Sequence, residues 1–347
     1  MTSYKNLHRF ILFTTACTFL LIIAGGLVTS TQSGLSVPDW PTTYGHFKFA
    51  YPIDQMVGGI FYEHSHRMIA TVVGFLTIIV ALWLWKREER KWVRVLGFVA
   101  LGSVIAQGIL GGLTVRFLLP TAISVSHATL AQTFFAIMAT LSLVTSSWWR
   151  SEQKVLNIDQ NKISLVRLSM ITTVVIYIQL ILGALMRHTQ SGLAVPDFPL
   201  AYGQLFPSLT AASLEQYNQQ LIQSDIRLAA DGAITSAQII VHMLHRLWAI
   251  GVSIMVVWTS LRLIKISAAS KRVSRFAYVL LGLLVLQITL GGLTVLSIKA
   301  VDITTAHVAT GALLLVTSVL LTLHTIRIFG ALSPKTAIAF SPREVTA

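Results

Sequence analysis

The sequence predicts an all-α integral membrane protein. Its eight transmembrane helices should form two tandem four-helix bundles, related by a pseudo-twofold axis along the membrane normal. Three observations predict this. Of the 347 residues, 54% are hydrophobic and only 11% charged, where soluble domains carry about 25% charged residues; mean hydropathy is +0.72. Eight apolar runs reach the roughly 20 residues that an α-helix needs to cross about 30 Å of hydrocarbon. The second half of the chain also respells the first: TQSGL at 31–35 returns at 189–193, GGLTV at 111–115 returns at 291–295, and His66-Arg67 returns as His245-Arg246.

The first span, near 9 to 31, follows MTSYKNLHR; its apolar run is too long for a signal peptide and shows no small-residue cleavage site, so it reads as a retained helix. It contains Cys17, the only cysteine. That excludes an intrachain disulfide or a cysteine-based metal site and leaves a small core residue. The second span, near 62 to 85, opens on Glu63-His64-Ser65-His66-Arg67; the third, 93 to 117, ends on GGLTV; the fourth, 121 to 147, brings His127. These make an N-terminal half, 1–158. The C-terminal half, 159–347, repeats the order with spans near 165 to 187, 236 to 262, 272 to 298 and 302 to 326, bringing His245 in the sixth and His307 in the eighth. The offset between matching motifs is 158 at TQSGL and 179 to 180 elsewhere, so about 21 residues are inserted around 208–236 in the second outer loop. An even number of spans per half makes this a parallel duplication. The short connections after spans 3 and 7 favour up-down-up-down order, which puts spans 2 and 4, and 6 and 8, on diagonals.

A net charge of +13 in a soluble protein suggests nucleic acid, but topology explains the charge here and no nucleic-acid partner is expected. With the N-terminus inside, 19 of the 26 basic residues fall in inner segments. The outer segments hold Lys48, Arg116, Arg187, Arg227 and Lys299, while Arg67 and Arg246 lie within helices. The positive-inside rule then places both termini in the cytoplasm. The N-terminus lacks the Arg- and Ser-rich character of a transit peptide, which points to a bacterial inner membrane.

Ionisable residues inside spans are costly and mark function by default. His66 and His127 lie at matched depth, roughly 10 Å from the outer surface, and His245 and His307 repeat them at near-equal spacing. Two imidazoles at one depth on diagonal helices can clamp a flat macrocycle, and axial histidine is a standard haem ligand. A zinc or copper site with three or four protein ligands is less economical, because no further ligands converge. Arg67 and Arg246, directly after two of the histidines, suit haem propionates through a planar bidentate fork; the alternative is a snorkelling interfacial arginine. Where the first half reads Glu63-His64-Ser65-His66-Arg67 the second reads His242-Met243-Leu244-His245-Arg246, so the carboxylate at 63 is replaced by an imidazole at 242. Glu63 shares a helix face with His66 and is the candidate for acid–base work, against the plainer reading of a helix-start carboxylate. The TQSGL phrases end the first helix of each half and should lie over its outer end as a lid. Trp40 and Phe198 then sit either at the lipid interface or over the macrocycle edge.

Taken together, Gly25-Gly26-Leu27-Val28-Thr29 leading into TQSGLSVPDWP, the Glu63 to Arg67 element, the paired GGLTV motifs, Ser126-His127-Ala128 and Ala306-His307-Val308 resemble haem A synthase, the cytochrome oxidase assembly enzyme of bacteria and mitochondria. The resemblance spans nearly all of 9–326. It implies an oxidoreductase that converts the C8 methyl group of haem O to the formyl group of haem A, through hydroxylated intermediates. It also implies substrate-haem ligands at His66 and His127, ligands of a resident haem b at His245 and His307, and an important glutamate at Glu63. Besides haem O and membrane lipid, the implied partners are an electron-transfer partner, haem O synthase and oxidase assembly factors; a homo-oligomer is open. One branch of the family has a cysteine pair in the first outer loop. Residues 32–61 contain none, so this chain resembles the cysteine-free branch. The competing reading is a dihaem b-type membrane electron-transfer protein, which gives no role to Glu63; a haem transporter is a third.

Overall fold

The computed structural model describes residues 2–151, 164–226, 232–266 and 271–330. The expected boundary between 158 and 159 lies outside the described residues, as do Lys154, Lys162, Arg227, Lys335 and Arg343. Among the described residues eight helices are long and apolar enough to cross a membrane: α1 (Thr2–Ser30), α2 (Gly58–Arg87), α3 (Lys91–Arg116), α4 (Thr121–Thr145), α5 (Leu165–His188), α6 (Ser236–Lys265), α7 (Lys271–Leu296) and α8 (Val301–Phe329).

Their packing follows the repeat. Helix α1 packs on α2 and α4, and α3 closes the ring against both; α5 packs on α6 and α8, with α7 closing the second ring. Thus α2 faces α4, and α6 faces α8, across diagonals. The rings meet through α1 with α8, α4 with α5, and α4 with α8. Leu7, Ile11, Val80, Leu84, Met138 and Leu141 fill the first ring towards the inner face. Val256, Leu263, Leu280, Leu315 and Leu321 do the same in the second, and Ile22, Phe135, Ala139, Ala312 and Val316 join the two. Large apolar side chains such as Phe75, Ile105, Ile254 and Val285 remain exposed, as a lipid-facing surface requires.

Lipid tails are as apolar as leucine, so close packing and hydrogen bonds must supply specificity between helices. In the second ring Thr172 meets Thr259 at 2.7 Å, Ser169 meets Thr325 at 2.9 Å and Thr173 meets Thr322 at 3.0 Å. Each such bond contributes roughly 0.6 kcal/mol.

The repeated phrase ends α1 and α5 in the same way. Gln32 (φ 55°) and Gln190 (φ 57°) take the left-handed conformation, usually given to glycine at a helix C-terminus. After α1 the Ser33 N–H bonds Val28 O at 2.8 Å and the Gln32 N–H bonds Thr29 O at 3.3 Å, the two bonds of a Schellman motif. On either side, Thr31 and Ser33 hydroxyls pair at 2.7 Å, as do Thr189 and Ser191. Further on, Asp39 accepts the backbone N–H groups of Tyr44 and Gly45, and Asp197 accepts those of Tyr202 and Gly203. Tyr44 and Tyr202 donate their hydroxyls back to Ser36 O and Ala194 O. The inserted residues form a helix, Ala211–Gln223, which buries Tyr217 and Leu221 against Leu193, Val195 and Ala201 of the second loop; Tyr217 stacks on Tyr202 at 3.7 Å. The insertion is therefore a second cover over the second lid.

Candidate functional site

Each of the four histidines rests on a glycine of the preceding helix. A Cβ placed on Gly25 would lie 3.2 Å from His66 Cε1; one on Gly111, 3.3 Å from His127 Cε1; one on Gly183, 3.1 Å from His245 Cε1; and one on Gly291, 3.1 Å from His307 Cε1. A Cβ contact this close forces the neighbour to shift, so glycine here permits close approach of an imidazole to a helix backbone. The second glycine of each GGLTV motif has a different occupant. A Cβ on Gly112 would enter the Trp40 ring at 2.6 Å, and one on Gly292 would meet the Phe198 ring at 3.1 Å. Trp40 and Phe198 are thus seated against α3 and α7 from the loop side, a contact that neither expected position named.

Three of the four seats share another feature. Four residues before the glycine stands a glutamine that reaches the histidine. Gln107 Nε2 donates to His127 O at 2.8 Å, Gln179 Nε2 donates to His245 O at 3.0 Å, and Gln287 Nε2 lies 3.4 Å from His307 Nε2. Leu21 occupies the corresponding place before Gly25, so His66 lacks this support. The Gln-x-x-x-Gly spacing was readable in the sequence, but it breaks at the first of its four occurrences.

The diagonal pairs come together: His66 and His127 are close enough for their charges to interact, as are His245 and His307. Buried Nδ1 atoms of His66, His127 and His307 have no hydrogen-bond partner, and among the described residues no three His, Cys, Asp or Glu side chains gather as a metal site. Two imidazoles per ring, each pressed against glycine and three of the four with an unpartnered Nδ1, fit the donor set of a bis-histidine haem and fit a three- or four-ligand metal site poorly.

Glu63 and the two arginines hold the loops. Glu63, 3% exposed, accepts the Val37 N–H at 2.8 Å on one oxygen and Arg67 Nη2 at 2.5 Å on the other. Arg67 also donates to the carbonyls of Val37, Asp39 and Thr42. Arg246 donates to those of Val195, Asp197 and Leu200, with its guanidinium 5.7 Å from the Phe198 ring centroid. At the position of Glu63, His242 has Nδ1 2.8 Å from Ser191 O. His64 Nδ1 meets Thr43 Oγ1 at 3.0 Å. Both lids are therefore pinned to the helix that carries a histidine, with opposite hydrogen-bond polarity at 63 and 242. Among charged groups of the lids, Asp39 is held below the usual carboxylate range. Burial opposes this, but hydrogen bonds from the Gly45 N–H, Thr42 hydroxyl and Tyr44 N–H outweigh it.

A family model described as cytochrome oxidase assembly protein (COX15-CtaA) matches residues 8–319. Relatives named Heme A synthase include that of Alkalihalophilus pseudofirmus, 29% identical over 209 residues, covering 59% of this chain and 68% of the relative. That of Bacillus pumilus is 31% identical over 227 residues, covering 62% and 68%. That of Beijerinckia indica subsp. indica is 27% identical over 310 residues, covering 80% of each.

Proposed function

The chain belongs to the cytochrome oxidase assembly protein family, and from that premise we propose that it is a haem A synthase, a membrane oxidoreductase that converts haem O to haem A by oxidising the C8 methyl group to a formyl group. The observation that carries this reading is the fourfold pairing of a histidine with a glycine seat, inside a chain whose relatives are named for that activity. His66 and His127 hold the iron of the substrate haem O. His245 and His307 hold a resident haem b, which when bound supplies reversible one-electron chemistry.

Oxidising a methyl to an aldehyde, with one water supplying the oxygen atom, releases four electrons and four protons, so the reaction needs an electron-transfer partner. The protons leave near the outer end of α2, where Glu63 is the ionisable group one turn from His66. Glu63 takes up or relays these protons, and Arg67 keeps it in place. The lids formed by 31–57 and by 189–226 cover the outer ends of the rings. A dihaem electron carrier uses the same four histidines but gives no reason for the halves to differ at Glu63 and His242, or for His66 to lack the glutamine that the other three have. The excess of basic residues on inner segments supports an inner-membrane orientation with both termini cytoplasmic.

The test is direct. The protein is produced in cells that make haem O, and extracted haem is identified by mass spectrometry. Haem A or hydroxylated haem O in wild type, lost in His66→Ala and His127→Ala, is the expected result. Haem B alone in all three proteins would support the electron carrier instead.

A further inference from the structure

Two cations stand at the outer end of the contact between the rings, and among the described residues neither is paired with an acid. Arg187, at the end of α5, reaches into the other half, where Nη2 donates to Gly26 O at 3.2 Å and to Ser30 Oγ at 2.9 Å. Ser30 also accepts the Thr305 hydroxyl at 3.2 Å. Lys299, in the turn between α7 and α8, is half-buried and lies near Arg187; burial and then that neighbour hold its ammonium below the usual lysine range. Arg187 is also near enough to His307 for their charges to interact. Among the described residues the ion pairs are Arg67–Glu63 and Arg90–Glu88, so no carboxylate among the described residues pairs with either of these two charges. Partly buried cations without a counter-charge are costly.

The duplication shows that this charge is an addition rather than part of the common frame. Lys299 sits over Gly192 of the second lid with Cδ 3.6 Å from a Cβ placed there. Its counterpart Leu119 sits over Gly34 of the first lid at the same 3.6 Å, and both have positive φ, 62° and 60°. The counterpart of Arg187 is Thr29, whose hydroxyl turns back to Gly25 O at 2.7 Å. The seats are alike; the charge belongs only to the half that contains His245 and His307. Arg67 and Arg246, which their positions next to histidines made candidates for propionates, are already committed to lid carbonyls.

We propose that Arg187 and Lys299 form an anchor for the propionate carboxylates of the haem held by His245 and His307, and that Thr29 and Leu119 leave the first half without such an anchor, so that its haem exchanges while the other stays. The inference rests on the proposed function, in which one haem is substrate and the other resident. Guanidinium and ammonium groups are the standard partners of carboxylates, through charge-assisted hydrogen bonds; the charge interaction of Arg187 with His307 and the seat of Lys299 over the second lid are what assign them to the haem of the second half.

The test places each half's residues in the other. Full-length protein loaded with both haems is mixed with excess apomyoglobin, and the release of each haem is followed by its absorption and by extraction. Lys299→Leu and Arg187→Thr should each speed loss of haem b at least about tenfold and lower its midpoint potential, because propionate charge is no longer offset. Leu119→Lys should slow release of the substrate haem several-fold. Lys299→Leu makes the argument independent of Arg187, whose contact with Ser30 also joins the halves. Unchanged haem b release and potential in a Lys299→Leu protein with normal circular dichroism and gel filtration overturns the anchor. Loss of bound phospholipid with haem b retained assigns the cations to a lipid phosphate and also overturns it. If wild type binds no haem b at all, the proposed function fails first.

Discussion

At the outer end of α2, Glu63 accepts a hydrogen bond from the lid's Val37 N–H and an ion pair from Arg67; at the same place on α6, His242 faces the lid's Ser191 carbonyl. The neighbouring contrasts run the same way. Leu21 stands where α5 has Gln179, Leu119 where the second half has Lys299, and Thr29 where it has Arg187. The second half thus has an amide on its α6 histidine, two cations, Arg187 and Lys299, with no carboxylate partner among the described residues, and an inserted helix over its lid. The first half has a buried carboxylate and one histidine without a glutamine. These contrasts are what the proposed function uses when it assigns the resident haem to the second half and the substrate to the first.

The sharpest way to break this contrast is to erase the difference at position 63. Glu63→His, copying the second half, should abolish haem A formation, as judged by mass spectrometry of extracted haem, and leave haem b in place. Glu63→Gln separates the two tasks of the residue. Its amide oxygen can still accept the Val37 N–H, but Arg67 is left buried without a counter-charge, a loss of roughly 3 kcal/mol in thermal stability. Haem A production by a folded Glu63→Gln protein equal to that of wild type would mean that Glu63 is only a pin for the lid and would remove it from proton handling.

Much of this was legible before the fold. Eight spans, their order, the paired histidines and the inserted loop all follow from hydropathy and self-similarity, because the bilayer leaves few alternatives to helices of fixed length. The partners of the conserved-looking small residues did not follow. That Gly111 seats His127 while Gly112 seats Trp40 depends on which face of α3 turns to α4 and which to the lid, a fact of packing between helices. Arg67 shows the same dependence on packing: the guanidinium next to His66 in sequence reaches three lid carbonyls, contacts that the sequence did not name. Arg187 looked like one more outer cation because its neighbours, Gly26, Ser30 and Lys299, are remote in the chain.

A middle-sized effect tests whether the two lids are equally tight. Gly112→Ala drives a Cβ to 2.6 Å from the Trp40 ring, whereas Gly292→Ala meets Phe198 at 3.1 Å. Overpacking of this kind costs roughly 1–3 kcal/mol, with the indole at the high end, since its contact is the shorter. Melting monitored by circular dichroism should show a larger drop for Gly112→Ala. Equal drops would mean that the first lid is free to lift away from α3 and is not the tighter of the two.

The smallest expected effect concerns the carboxylates that close the lid turns. Asp39 has three donors, the backbone of Tyr44 and Gly45 and the Thr42 hydroxyl, whereas Asp197 takes its two backbone donors opposite Leu200. A carboxylate whose folded pKa is lowered, as that of Asp39 is, adds stability above the ordinary aspartate value of about 4, and that stability is lost as pH falls through the lowered value. Hydrogen-exchange protection of the Thr43 and His46 amides, which bond each other's carbonyls at 3.0 and 2.9 Å, should therefore drop a few-fold on acidification below about pH 4 once intrinsic exchange is divided out. In Asp39→Asn the protection should be lower throughout and nearly flat with pH. A wild-type profile as flat as that of the variant would show that the first turn is held by its aromatic and hydroxyl contacts alone. The extra Thr42 hydroxyl would then do nothing to set the first lid apart from the second.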